Sequence, residues 1–451
     1  MAIVAPFRGL TYNPKKTADM SKLVAPPYDV INDEEQGVYY QSDPYNVIRL
    51  ILGKKKIGDS DWDNRYTRSA DCFGRWISEN ILMRARHPSM YVTALTYDPG
   101  DGEGIRLRWG LIALVRIEDE GSGVIIPHEK TFSAHRDDRL NLMKASGAQY
   151  SQIFSLYEDT ENRIFAALNE VINAPPHVSF DFRDGTGHRL WIVQSRALFQ
   201  KISCLMEDKS ILIADGHHRY ETARAYRNMM RIRYGKRPLN RAYEYTMMYL
   251  SNMDDAGLTI LPSHRLIKRR AGFKIEDFLD RIGEWFDVSP LSVSLSDSGS
   301  DWVRLKKILE EKGRYTSTMG FYHRGSDKYY ILALKPEKRK EMGDDLHASL
   351  MKLDVLVLSR FLLQRALGFS KEDLDDEKIF HYHSDMAETL SMVDAGTYQM
   401  AFILNPTRME HVKEVAGNGL TMPRKSTYFY PKILTGLVLN KIDPHELVQM
   451  P

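Results

Sequence analysis

The sequence predicts an α+β fold, with mixed sheets, hairpins and peripheral helices. Segments with strand character and segments with helix character are interspersed, and several strand-like pairs flank Gly-containing turns, as in β-hairpins. No strand–helix–strand alternation is sustained, which argues against a doubly wound parallel sheet. At 451 residues the chain exceeds the usual size of a single hydrophobic core, so at least two domains are expected.

The predicted elements follow from local patterns of apolar, β-branched and turn residues. Helical spacing is seen at 65–79, from 138 to 144, after the turn at 216 up to about 234, and in the buried stretch at 353–367. The predicted strands are 90–97, 105–117, 178–182, 189–194, 211–213, 245–250, 258–261, 320–322, 329–334 and 400–404. Polar stretches at 235–241 and 289–300 are predicted as seams between domains or subdomains.

Composition limits the classes of function that the chain can have. Hydrophobic residues make up 43% and charged residues 27%, as in an ordinary globular protein. The net charge of +2 argues against general electrostatic binding of nucleic acid. Two cysteines far apart in sequence provide neither a disulfide framework nor a zinc cluster, and no apolar run is long enough for a membrane span. The sequence therefore predicts a cytoplasmic protein without a membrane partner.

The segment ILIADGHHRYETARAY, at 211–226, joins a short buried strand to a helix. Gly216 supplies the sharp turn, because glycine takes a positive φ without a Cβ clash. His217, His218 and Arg219 then belong at the start of the helix, where backbone N–H groups and the helix dipole favour an anion, and an arginine can hold two phosphate oxygens. The pattern favours a phosphate site. The alternatives are Asp215 acting only as a helix N-cap, a histidine metal site, and plain surface residues.

Five motifs resemble the signatures of domain-of-unknown-function family 1015. They occur in family order over almost the whole chain, as VAPPYDVI (24–31), PHEKT (127–131), ADGHHRYETA (214–223), LPSHR (261–265) and MPRKSTYF (422–429). More distantly, the Gly216–Arg219 turn resembles the phosphate loop of the ParB/sulfiredoxin superfamily. His217 stands where sulfiredoxins have their cysteine nucleophile, which argues against sulfiredoxin chemistry. The loop is closer to the Asp-Gly-His-x-Arg pattern of the free L-serine kinases.

This resemblance implies a nucleotide-dependent phosphotransferase that acts on a small hydroxylated metabolite such as free L-serine, with ATP or ADP and Mg²⁺. It implies a ParB/sulfiredoxin-like nucleotide-binding region at 1–240 and a C-terminal α+β region at 241–451 that completes the site. A nucleotide-binding switch or scaffold protein without turnover, and a nucleotide phosphohydrolase, are the alternatives. The choice of nucleotide, the acceptor and the oligomeric state, a homodimer included, stay open.

The candidate catalytic residues are Asp29, His128 and Glu129. Two prolines fix an extended turn that would hold Asp29 for proton abstraction, with Glu34 as the second choice; a purely structural turn is the alternative. Glu129 is also a candidate metal ligand, with His128 assisting proton transfer and Lys130 or an arginine contacting phosphate. The alternative for this second motif is an exposed charged connection.

The candidate nucleotide-binding residues lie in three of the motifs. Asp215 is, in addition, the second candidate metal ligand. Lys425 would meet phosphate as a point charge, although Gly417 and Gly419 are out of register for a Walker loop. Polar strand ends are the alternative for these C-terminal contacts, and the alternating His381, His383 and Asp385 are attributed to a polar strand face rather than to a metal site. The nucleotide-binding set is Asp215, Gly216, His217, His218, Arg219, Thr222, His264, Arg265 and Lys425.

Overall fold

The computed structural model describes residues 1–129, 133–292 and 298–450. Lys130, a candidate phosphate contact, lies outside the described residues. Within the described ranges the fold is mixed α+β, as the sequence predicts. The chain divides into two compact units. Unit 1 comprises Met1–Pro127, Thr131–Thr259 and Tyr430–Pro451, and unit 2 comprises His128–Lys130 and Ile260–Phe429.

The division into units does not coincide with the seams expected from composition. The stretch at 235–241 lies inside unit 1, because the strand that follows it, Tyr245–Asn252, is an inner strand of the main sheet of that unit. The stretch at 289–300 lies inside unit 2. The predicted functional division into 1–240 and 241–451 stays a prediction.

Short strands and longer ones are distributed along the whole chain. The described strands are β1 (Val4–Ala5), β2 (Leu10–Tyr12), β3 (Leu82–Arg84), β4 (Met90–Tyr97), β5 (Arg106–Arg116), β6 (Ile125–Pro127), β7 (Ala148–Gln149), β8 (Ile153–Tyr157), β9 (Val178–Asp181), β10 (Gly187–Val193), β11 (Ile211–Asp215), β12 (Tyr245–Asn252), β13 (Thr259–Leu261), β14 (His264–Ile267), β15 (Phe286–Ser292), β16 (Thr318–His323), β17 (Lys328–Leu334), β18 (Phe380–His383), β19 (Met400–Ile403), β20 (Tyr428–Tyr430) and β21 (Asn440–Lys441).

The helices lie between these strands. The described α-helices are α1 (Asp33–Ser42), α2 (Ile48–Ile51), α3 (Arg65–Ser78), α4 (Ser133–Ser146), α5 (Arg163–Ala167), α6 (Asn169–Ile172), α7 (Arg196–Met206), α8 (His217–Tyr234), α9 (Ile275–Ile282), α10 (Ser298–Gly313), α11 (Ala348–Met351), α12 (Asp354–Val357), α13 (Met386–Asp394) and α14 (Met409–Gly417). A helical stretch, Leu358–Ala366, continues α12 and confirms the buried helix expected at 353–367. Among the described residues, no helix combines the length and the apolar character that crossing a membrane requires.

The main sheet of unit 1 contains nine described strands in the order β6-β11-β8-β12-β5-β4-β10-β9, with β1 beside β5. β11 runs parallel to β6 and β12 parallel to β8, whereas the other pairs are antiparallel. The hairpins β4–β5 and β9–β10 confirm two sequence predictions. Ile211 and Ile213 of β11 share one hydrophobic cluster with Tyr220 and Ala223 of α8. The apolar face of α8 is therefore packed in the same core as β11, and this packing fixes the turn between them.

Unit 2 is built on a sheet whose described strands number six, in the order β15-β17-β16-β19-β14-β18. All of its neighbouring strands are antiparallel, which confirms the predicted β16–β17 hairpin. Leu305 and Leu309 of α10 pack with Val393 of α13 against sheet residues such as Ile331 and Ile403. The seam expected at 289–300 contains the end of β15 and the start of α10.

Candidate functional site

The turn between β11 and α8 has the local structure that its sequence predicts. Gly216 is the N-cap residue of α8 and has a φ of 93°. A Cβ atom on this residue would lie 2.8 Å from the guanidinium carbon of Arg219, so the glycine satisfies both the backbone and the neighbouring side chain. Since glycine has no side chain, the backbone N–H groups in the first turn of α8 have no side-chain cap. They lie at the positive end of the helix dipole.

Asp215 forms an ion cluster at the carboxyl end of β11. Its Oδ2 atom accepts a hydrogen bond from Nη2 of Arg219 at 2.6 Å, and its Oδ1 atom accepts one from Nζ of Lys432 at 2.9 Å. Arg219 also donates to the carbonyl of Gln152. Burial alone would raise the pKa of the Asp215 carboxyl, but Lys432 and Arg219, with His217, outweigh it and hold the pKa well below its usual range. Asp215 is thus an ionised partner of two cations rather than a helix cap.

Lys432 is a component of this cluster that sequence reasoning missed. It follows the aromatic run of the C-terminal motif and lies 217 residues from Asp215 along the chain, so no local spacing could reveal the pair. The chain immediately before Lys432 is held by Arg108 of β5, which is completely buried. Arg108 donates to the carbonyls of Tyr430 at 2.9 Å and Pro431 at 2.8 Å, immediately before the lysine. A buried guanidinium therefore positions the chain that delivers Lys432.

The first motif meets the glycine turn at a small cavity in unit 1. Tyr28, Arg139, Arg219 and Thr222 all contribute to the lining of this cavity, whose volume is ≈ 50 Å³. The guanidinium carbon of Arg139 stacks over the Tyr28 ring at 3.9 Å from its centroid. Burial raises the pKa of the Tyr28 hydroxyl to about 12. The structure thus brings Arg219 and Thr222 together with the residue that precedes Asp29.

Asp29 itself is exposed on a short helical turn, Tyr28–Val30. Within the described residues its carboxylate forms no hydrogen bond or salt bridge. The helix that follows, α1, is capped by Asn32, which forms a capping box with Glu35, so Asp29 is not needed as a cap. Its carboxylate is exposed in the first turn of the short helix Tyr28–Val30, and both the catalytic role and the structural turn stay predictions.

A second charged group holds Arg139 at the same cavity. Asp138 accepts hydrogen bonds from Nε of Arg139 at 2.7 Å and from the Tyr66 hydroxyl at 2.7 Å, and it also pairs with Arg65. Burial alone would raise the pKa of the Asp138 carboxyl, but Arg139 and the other partners lower it. Arg139 and Arg219 are therefore both preorganised by ionised aspartates, which suits recognition of an anionic group.

In unit 2, the second motif meets the C-terminal one. The buried His128 places its Nε2 atom 2.9 Å from the Thr427 hydroxyl and its ring edge-on to Phe429. The same hydroxyl lies 3.3 Å from Oε1 of Glu129, which is 3.8 Å from Nε2 of His128. His128, Glu129 and Thr427 thus form one polar triad, in which the hydroxyl links the imidazole to the carboxylate.

The fourth motif joins this group through Arg265. Its guanidinium is buried, stacks 4.7 Å above the Tyr382 ring and donates to the carbonyls of Ser263 and, at 2.9 Å, Lys425. Burial lowers the pKa of Arg265, and the Glu129 carboxylate opposes that change. Lys425 is exposed and has a left-handed φ of 57°, an uncommon conformation for lysine that such contacts sustain. Arg265 thus connects three of the motifs in unit 2.

His264, next to Arg265 in β14, is also buried. Its Nδ1 atom accepts a hydrogen bond from the backbone N–H of Leu404 at 3.1 Å, whereas its Nε2 atom has no hydrogen-bond partner within the described residues. Burial, assisted by the positive charge of Arg265, lowers its pKa to about 3. The imidazole is therefore neutral at pH 7, and the predicted anion contact would depend on Nε2–H alone.

The neutral state of His264 predicts a pH dependence of stability. An unfolded histidine takes up a proton near pH 6.5, while the folded one stays neutral down to about pH 3, so stability is full above pH 6.5 and falls as the pH decreases through that window. For one such group the slope approaches about 1.4 kcal/mol per pH unit. We expect His264→Asn to lose less free energy of unfolding than wild type between pH 6.5 and 4, measured by urea denaturation. Parallel pH profiles would contradict the assignment.

The predicted metal ligands are placed in different units. Asp215 already has a cation at each carboxylate oxygen, which favours an ion-pair role over metal coordination, because a divalent ion would be repelled by both. Among the described residues, no group of three or more His, Cys, Asp or Glu side chains is arranged to hold a metal ion. Asp385 caps α13 by accepting a hydrogen bond from the N–H of Glu388, which agrees with attributing the His381–Asp385 alternation to ordinary structure.

The chain is similar to one protein family and to several solved structures. A family model described as "Protein of unknown function (DUF1015)" matches residues 4–356. A conserved hypothetical protein from Pyrococcus furiosus is similar at 12% identity and a TM-score of 0.33, over 71% of this chain and 92% of that chain. A free serine kinase in complex with AMP is similar at 12% identity and a TM-score of 0.34, over 74% and 93%. SbnI with a C-terminal truncation, from Staphylococcus aureus, is similar at 10% identity and a TM-score of 0.33, over 72% and 85%. No curated protein sequence matches.

Proposed function

We propose a function for this chain, which belongs to the DUF1015 family: it transfers a phosphoryl group from ATP or ADP to the hydroxyl of a small metabolite, with free L-serine as the first acceptor to test. The observation that carries the proposal is the cavity of unit 1 at which Arg139, Arg219 and Tyr28 meet, next to the exposed Asp29. Two preorganised guanidinium groups at one cavity are suited to an anionic substrate.

The size of the cavity separates the two substrates. At ≈ 50 Å³ it is far smaller than the several hundred Å³ of a typical nucleotide or drug-sized site, so it has room for only a few atoms of a ligand, such as the carboxylate end of a small acceptor. An amino acid such as serine presents a carboxylate to the arginines and a hydroxyl for reaction. The nucleotide would lie outside, with its phosphates at the Gly216–Arg219 turn and the first turn of α8.

Asp29 is proposed as the general base. Its carboxylate would take the proton from the acceptor hydroxyl while the new oxygen–phosphorus bond forms and the bond to the leaving nucleotide oxygen breaks. Arg219, fixed by Asp215, would stabilise the charge on the transferred group. Mg²⁺ would be held by the nucleotide phosphates, as is usual for this ion.

A direct assay tests the proposal. Purified protein is incubated with Mg²⁺, L-serine and either ATP or ADP, and O-phosphoserine is measured by mass spectrometry. We expect Asp29→Asn to lower turnover about 100-fold without weakening nucleotide binding, since a general base typically contributes 10²-fold or more. Asp33→Asn, at an exposed residue four positions further on, is the matched control and should retain activity.

The outcomes of this assay separate the proposed function from its alternatives. Nucleotide hydrolysis without phosphoserine would identify a phosphohydrolase instead. Nucleotide binding without any turnover would favour a nucleotide-binding switch or scaffold protein. An Asp29→Asn variant with wild-type turnover would remove Asp29 from the mechanism, and Glu34 would then be the next acid to replace.

A further inference from the structure

Unit 2 contains a second cavity. Its lining includes none of the motif residues discussed above. It has a volume of ≈ 560 Å³ and lies where the C-terminal end of α10, the start of β16 and the segment between β19 and α14 meet. This volume is within the range of sites that hold small metabolites and cofactors. The cavity is formed entirely by unit 2 residues, so it is separate from the phosphate turn in unit 1.

Three arginines line this cavity, and within the described residues none of them forms a salt bridge. Arg339 is held by neutral acceptors, the Met351 carbonyl at 2.6 Å and the Ser317 hydroxyl at 2.9 Å. Arg408 donates to the Gly313 carbonyl at 2.6 Å, and Arg314 is exposed at the rim. Arg339 is half-buried, and the nearby Asp354 carboxylate partly compensates its charge. Arg408 and Arg314 are exposed, so their guanidinium groups are accessible to an anionic ligand.

The acidic groups of the cavity offset only part of this positive charge, although Asp354 interacts with both Arg339 and Arg408. Asp354 and Glu310 are the carboxylates in the lining, against the three arginines and Lys352. Lys352 is paired with Glu414 at 2.8 Å, outside the lining. Burial raises the pKa of Asp354 to about 6, so part of its charge is lost in mildly acidic solution. The cavity therefore has an excess of positive charge.

Other groups of the lining define the class of ligand. α14 begins directly after Arg408 and has no side-chain cap, so its first turn offers backbone N–H groups to an anion. Tyr315 is 91% exposed and presents an aromatic face at the rim. A bare inorganic ion would leave most of the volume empty, whereas a phosphate monoester would place its phosphate among the arginines and its organic part against the remaining wall. We propose that this cavity binds a small phosphorylated metabolite.

The test uses the full chain and isothermal titration calorimetry with three probes: glycerol 3-phosphate, inorganic phosphate and succinate. We expect glycerol 3-phosphate to bind at millimolar concentration or below. Arg408→Gln and Arg314→Gln should each weaken it about 10-fold, because each removes a charged hydrogen-bond donor to the phosphate. Arg304→Gln, at an exposed arginine of α10 outside the cavity, is the matched control. Both test arginines are exposed, so folding should persist.

Other outcomes overturn the proposal. Absence of binding by all three probes would show that the cavity is not an anion site. Binding of glycerol 3-phosphate that is abolished by Arg219→Ala but unchanged in Arg408→Gln would place the phosphate in unit 1. Succinate that binds more tightly than glycerol 3-phosphate and loses affinity in the same variants would identify a dicarboxylate site. The proposal does not depend on phosphoryl transfer in unit 1, so each can fail alone.

Discussion

An Arg219→Ala variant is expected to lose the nucleotide-dependent thermal shift and about 1,000-fold of its turnover. Arg219 is 10% exposed and links the Asp215 carboxylate to the cavity, so its removal leaves Asp215 with a single cation in contact among the described partners of its carboxylate. Removing a guanidinium that stabilises a transferred phosphoryl group costs about 10³-fold or more in turnover. Separately, removing one member of a buried, hydrogen-bonded pair lowers the free energy of unfolding by about 3–5 kcal/mol. Thermal shift with ATP, ADP and Mg²⁺, followed by the phosphoserine assay, measures both effects.

The matched control for this variant is Arg224→Ala on the same helix. Arg224 forms a surface salt bridge with Glu120, and such exposed pairs contribute about 1 kcal/mol or less. It should keep the nucleotide shift. The melting temperature without ligand separates a general loss of stability from a loss of binding. If Arg219→Ala binds and turns over nucleotide as wild type does, the phosphate site is elsewhere.

An Arg108→Ala variant is expected to lower the free energy of unfolding by about 4 kcal/mol, since two hydrogen bonds from a charged donor contribute about 1.5–3 kcal/mol each. The side chain is fully buried, donates to two carbonyls and stacks 4.8 Å from the centroid of the Phe154 ring. Its loss would also release the chain before Lys432. Urea denaturation gives the change in free energy, and the slope of the transition checks that unfolding stays two-state.

Arg116→Ala provides the comparison for Arg108→Ala on the same strand. Arg116 is 29% exposed and pairs with Glu118, so a loss of about 1 kcal/mol or less is expected. Equal losses for the two variants would mean that the contacts to Tyr430 and Pro431 contribute nothing beyond a surface ion pair. Arg108→Met, which keeps most of the buried volume but no donor, then shows how much of the effect is packing.

Local features of the candidate site were accessible from the sequence. The change from an apolar run to Asp-Gly and then to helical spacing predicts β11, the left-handed Gly216 and α8, and the structure has all three. These features depend on interactions between near neighbours in the chain, such as the strand pattern and the backbone freedom of glycine. Hairpins such as β16–β17 were predictable for the same reason.

Contacts between distant segments were not accessible in this way. Arg108 and Tyr430 are 322 residues apart, and nothing in RLRWG indicates that its second arginine is buried. The partners of Asp215 were out of reach for the same reason: Lys432 is 217 residues away, and together with Arg219 it engages both carboxylate oxygens. The unit 2 cavity was missed entirely, because its arginines come from separate segments without a shared motif.

Unit 1 is built from segments that lie before and after unit 2 in the chain, and this affects the order in which its candidate site can assemble. Its final segment, Tyr430–Pro451, is made after all of unit 2, yet it supplies Lys432 and the two carbonyls that Arg108 binds. Before this segment is made, Asp215 has Arg219 but lacks Lys432, and Arg108 lacks both carbonyls, so burying either charge is less favourable than in the complete unit. Unit 1 can therefore close only after this segment has been made, which ties assembly of the candidate site to the prior synthesis of unit 2.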